Sequence, residues 1–216
     1  MELKNMRIAR IFFGAITGAF CLIIVLAILH ETEIIIQSGN MIVPVFSFNS
    51  ILIQFAKIIP WLFLGFCLSK ADLASHIGRP LLFLVLSYSA LVIAEFYAGL
   101  DYSVDVREII SGKSYTAVLT ALITRLGILI AVIWAYAIAL LILAGKMTVA
   151  AKQDGALGLT RVFLILAGLS LLTIAGAPFF YIFEALAYGS LSIYFFSSGY
   201  KQRQDQHIHI VNDLPR

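Results

Sequence analysis

Long apolar runs, each long enough to cross a bilayer, recur along this chain from Ile11 to Phe196 with only short polar punctuation between them. A spanning segment must satisfy its backbone hydrogen bonds internally, and a crossing helix needs about 20 mostly apolar residues. The sequence therefore predicts an all-α, polytopic transmembrane bundle in one integral membrane domain covering residues 1–216. The expected spans are 11–29, 51–68, 80–98, 118–144, 162–176 and 179–196.

With 61% hydrophobic and only 12% charged residues, the 216-residue chain falls outside the composition of soluble domains. Little length remains for an appended catalytic domain. The first run is longer than a signal-peptide core, and Glu31–Ile34 is no small-x-small cleavage site, so it reads as a retained helix. The run from Val162 to Phe196 would be roughly 50 Å as one helix against a hydrocarbon core of about 30 Å. It is expected to break at Gly176-Ala177-Pro178. Two readings follow: a hairpin of two spans, giving six in all, or five spans with an interfacial C-terminal helix.

Charge placement favours six. With both termini cytoplasmic, Lys4, Arg7, Arg10, Lys70, Arg79, Lys146, Lys152, Arg161, Lys201, Arg203 and Arg216 fall inside, and only Arg107 and Lys113 outside, as the positive-inside rule requires. The expected location is the bacterial cytoplasmic (inner) membrane. Outside the bilayer, β-branched runs flanking Ser38-Gly39-Asn40 suggest a small β-hairpin at 33–43. Asp105–Ile110 has a capping-box-like start and suggests a short interfacial helix. Irregular loop is the competing reading for both.

Four ionisable residues lie within the expected spans: Lys57, Glu95, Arg125 and Glu184. A charge near the bilayer centre costs about 2.5–3.5 kcal/mol even on the lenient insertion scale, so such groups face protein or water. Counted from the expected span ends, all four fall at one depth nearer the outer side, two of each sign. Helical spacing adds Gln54 and Trp61 to the face of Lys57, Tyr88 to that of Glu95, and Tyr181 and Tyr188 to that of Glu184; Arg125 aligns with Tyr136. This charged layer is the candidate ligand or ion site. The competing readings are a structural Glu95–Arg125 pair and snorkelling of Lys57 and Arg125 to the headgroups.

Gly14 and Gly18 give the first span a smooth face for helix packing, and Ala185-x-x-x-Gly189 repeats the pattern. Cys21 and Cys67 are expected as apolar packing residues. No P-loop, dinucleotide fingerprint, nucleophile elbow or metal-ligand spacing occurs, so neither cofactor nor metal is expected; no basic patch with aromatic interleaving points to nucleic acid. Membrane lipids and other membrane subunits are the expected partners. Three functions compete: an accessory or scaffold subunit of a membrane complex, favoured by the absence of any catalytic motif; a small transporter or channel-like protein binding a polar solute or ion at the charged layer; and a lipid-active membrane enzyme using the acidic pair.

Overall fold

The computed structural model describes residues 3–38, 54–70, 77–110, 115–173 and 177–212. Among these, the elements are α1 (Leu3–Ser38), α2 (Ile58–Lys70), α3 (Gly78–Ile110), α4 (Tyr115–Lys146), α5 (Thr148–Gln153), α6 (Gly155–Leu172) and α7 (Ala177–Asn212). Among the described residues, four helical segments are long and apolar enough to cross a membrane: Met6–Ile28, Ile123–Lys146, Gly155–Leu172 and Phe179–Ser198; Gly78–Ala94 is apolar but shorter.

Contacts fix the directions. Gly14 lies against the Phe196 ring, Gly18 against Ser192 and Gly189 against Cys21, so α1 and α7 run antiparallel. The Ser192 hydroxyl donates to the Gly14 carbonyl at 2.8 Å, a bond that the missing side chain at Gly14 makes reachable. Against α7, α2 runs parallel, pairing Lys57 with Glu184 and Trp61 with Tyr188. Leu81 packs on Gly65 and Tyr88 reaches Gln54, which sets α3 antiparallel to α2. Gly168 meets Ala137 and Leu141 while Arg161 reaches Ala144, so α4 and α6 are antiparallel, as are α6 and α7 through Thr160 and Ser190. The most deeply buried side chains, including Leu64, Leu68, Leu143, Met147, Leu157, Leu191 and Phe195, gather toward the end of the bundle where α2 and α4 finish and α6 begins.

The break in the last apolar stretch falls between Leu172 and Ala177, just ahead of the expected Gly176-Ala177-Pro178. α6 stops at Leu172, Thr173 is extended, and α7 restarts at Ala177 with Pro178 in its first turn, where a missing N–H costs nothing. Because α6 and α7 then pack antiparallel, α7 lies along the bundle. The fifth apolar element starts earlier than the expected 162: the Asp154 carboxylate accepts from the Ala156 and Leu157 N–H groups and begins α6 at Gly155.

Two outer features differ from expectation. Glu33–Gln37, expected as the first arm of a β-hairpin, continues α1 as helix through Ser38. Extending an existing helix adds one hydrogen bond per residue, and β-branched residues lower helix propensity by well under about 1 kcal/mol each, too little to stop it. The expected second arm, Met41–Val43, lies outside the described residues. Asp105–Ile110 forms no separate interfacial helix; it is the last part of the 33-residue α3.

Candidate functional site

Gln54–Ala56 form a helical turn, Lys57 breaks it, and α2 restarts at Ile58. Pro60 accounts for the break, since its ring has no N–H for the Ala56 carbonyl and displaces it. Lys57 therefore sits at the head of α2, about 10 Å of helix rise below the start of α7 at the level of Glu184. There the Lys57 Nζ and Glu184 Oε2 approach to 3.5 Å, each side chain more than nine-tenths buried.

Hydrogen bonds frame this pair. Tyr188, one turn beyond Glu184, donates its hydroxyl to the Lys57 carbonyl at 2.7 Å. Trp61, one turn beyond Lys57, donates its indole N–H to the same hydroxyl at 3.0 Å. One turn outward, the Tyr88 hydroxyl donates to Gln54 Oε1 at 2.8 Å, joining α3 to the turn before α2. The Tyr88 ring lies 5.1 Å from that of Tyr136, which in turn meets Phe180 edge-on at 6.0 Å. Five elements thus contribute to one polar and aromatic layer. One group in it is left over: Glu184 Oε2 is buried and has no hydrogen-bond partner, because 3.5 Å is an ion contact longer than the about 2.7–2.9 Å of a charge-assisted hydrogen bond.

The structure brings together Lys57, Glu184, Gln54, Tyr88 and Tyr188. Tyr181 stands apart, 45% exposed; a three-residue step leaves it about 60° round the helix from Glu184. Arg125 is partly exposed between exposed Thr124 and Leu126. It lies eleven residues before Tyr136, about 16 Å farther out along α4. Glu95 lies on α3 seven residues beyond Tyr88, about 10 Å farther out, and its side chain falls outside the described residues. The charges expected at one depth are therefore spread along the bundle, because α3 and α4, of 33 and 32 residues, run past the short α2 and α6. Gly14 and Gly18 of α1 face Phe196 and Ser192 of α7.

Some polar groups were not singled out from sequence. Thr160 and Ser190 share a buried hydrogen bond of 2.9 Å between α6 and α7. Arg161, assigned to a polar inner segment, donates from Nε to the Ala144 carbonyl at 3.1 Å and satisfies an end group of α4. Only the Asp154 cap had a readable signal, an acidic residue just ahead of an apolar helical run. Among the described residues no group of three or more His, Cys, Asp or Glu could hold a metal ion.

Apolar helices of membrane-crossing length, large side chains such as Leu22, Leu82, Ile123 and Ile193 exposed on their outer faces, and charges paired within make this a membrane-embedded helical bundle. No family model, curated protein or solved structure matches the chain.

Proposed function

We propose that this protein is a non-catalytic scaffold subunit of a complex in the cytoplasmic membrane, crossing six times with both termini on the cytoplasmic side. The alternating directions of α1, α2, α3, α4, α6 and α7 support six crossings, and the basic residues at the Arg7, Lys70, Arg79 and Lys152 end support the orientation. The observation that carries the functional reading is the way most of the polar layer pairs internally, Glu184 Oε2 excepted. Lys57 is committed to Glu184, Tyr188 to Lys57 and Trp61, and Tyr88 to Gln54, so these groups join helices rather than face a solute. The apolar outer faces then meet lipid and neighbouring subunits.

The test is reconstitution of the purified protein into liposomes with a pH-sensitive or ion-sensitive dye inside. No flux above that of empty vesicles is expected, together with partner subunits that co-purify in fixed ratio and are lost when the fold is disrupted. A reporter active only in the cytoplasm, fused at the C-terminus, is expected to be active. Flux abolished by Glu184→Gln would overturn the scaffold reading in favour of an ion or proton path. Two observations favour that second reading: the unbonded Glu184 Oε2 and the helix break at Lys57 beside it.

A further inference from the structure

At the opposite end of the bundle a second buried polar group is left over. Arg10, near the start of α1, has its Nε buried and without a hydrogen-bond partner. Its guanidinium stands against the Cys67 thiol of α2 and within electrostatic reach of Tyr194 on α7. A guanidinium carries five N–H donors in a flat fork suited to paired oxygens, and a thiol satisfies little of that capacity.

The register of α1 and α2 adds further cations. Phe13 stacks on Phe63 with ring centroids 3.8 Å apart, and Arg10 meets Cys67, so the two helices run antiparallel. One turn farther toward this end, Arg7 on α1 comes level with Lys70 on α2. Both are one helical step of three residues from the Arg10 and Cys67 contact, and residues so spaced lie on neighbouring faces. Arg7, Arg10 and Lys70 have no carboxylate partner among the described residues. The nearest described acid, Asp154, has its Oδ1 engaged by the Ala156 and Leu157 N–H groups. Among the described residues, these three cations on adjacent helices touch no carboxylate, and a bound anion would offset their mutual repulsion.

The adjoining surface says which kind. An aromatic ladder runs from Phe13 through Phe63 to Phe66, and the Lys70 ammonium lies over the Phe66 ring, 5.5 Å from its centroid. Phe66, Leu62 and Phe12 beside it are exposed on the lipid-facing side. A free phosphate would use the cations and leave this wall bare. A molecule with an anionic head and apolar tail covers both.

We propose that the inner ends of α1 and α2 form a binding site for an anionic phospholipid, its phosphodiester held by Arg7, Arg10 and Lys70 and its acyl chain laid along Phe63 and Phe66. This holds whether the bundle is a scaffold or a transporter.

Native mass spectrometry of the delipidated protein in detergent tests it, with phosphatidylglycerol, phosphatidylcholine and inorganic phosphate added separately. One phosphatidylglycerol is expected to stay bound, with phosphatidylcholine and phosphate much weaker. Each cation near the membrane surface contributes about 1 kcal/mol, so Arg10→Gln should weaken phosphatidylglycerol about fivefold and the triple variant R7Q/R10Q/K70Q on the order of a hundredfold. Lys152→Gln, a cation of the same end on α5, should bind as the unaltered protein does. Lys70 is exposed, so Lys70→Gln keeps the test valid if replacing the partly buried Arg10 impairs folding. Equal binding of phosphatidylcholine, equal binding of inorganic phosphate, or unchanged phosphatidylglycerol binding by the triple variant would each overturn the assignment.

Discussion

Replacing Lys57 by Met leaves Glu184 buried with no cation beside it, and the structure sets the scale of the loss. At 3.5 Å, two unit charges attract by about 5 kcal/mol at an effective dielectric of about 20. Much of that offsets the cost of taking both ions out of water, so the pair's net contribution is small, but removing one partner exposes the full cost of the other, about 3–5 kcal/mol. The variant is clean because Tyr188 donates to the Lys57 backbone carbonyl, which the substitution keeps. Lys57→Met and Glu184→Leu alone should each destabilise by about 3–5 kcal/mol, while the double variant should return to within about 1 kcal/mol of the starting protein. Unfolding in mixed micelles, followed by far-ultraviolet circular dichroism as denaturing detergent is titrated, measures all four corners of this cycle. Single losses below about 1 kcal/mol that simply add in the double variant would refute a coupled, buried pair.

Three further substitutions probe other joints by the same unfolding assay. A Cβ at Gly168 would stand 2.9 Å from Leu141 Cγ and 3.0 Å from the Ala137 carbonyl oxygen, so Gly168→Ala should push α4 and α6 apart and cost about 1–3 kcal/mol. Tyr188→Phe strips a partner from the Trp61 N–H and the Lys57 carbonyl together and should cost about 1–3 kcal/mol, with the indole fluorescence of Trp61 altered. Asp154→Ala removes the cap of α6 and should cost about 1 kcal/mol, with Asp154→Asn restoring most of it.

The parts of this structure legible in the sequence are those governed by local rules. Apolar run length gives the helices, and Pro178 marks the start of α7, although α6 ends earlier, at Leu172, than the sequence suggests. Lys57 and Glu184 stand out because a lone charge in an apolar run needs a partner. The length of a helix beyond its apolar part is harder to read. Glu33–Gln37 is β-branched and polar enough to resemble a strand, yet it continues α1, since a helix already formed extends at low cost. The same effect carries α3 on to Ile110, and Arg125 stands about 16 Å from the layer because α4 runs past the short α2. The burial of Arg10 depends on α2 and α7, 57 and 184 positions away at Cys67 and Tyr194, and no local pattern announces it.

Whether the Lys57 and Glu184 layer is a closed joint or a wetted site is decided most directly by thiol labelling. Glu184→Cys is placed in a Lys57→Met background with Cys21 and Cys67 replaced by Ala, and intact vesicles are treated from either side with a charged, membrane-impermeant methanethiosulfonate. A scaffold whose polar groups satisfy one another leaves the introduced thiol unmodified until detergent unfolds the bundle. Rapid labelling in the folded protein would mean that water reaches the layer, and the scaffold reading would give way to a solute path.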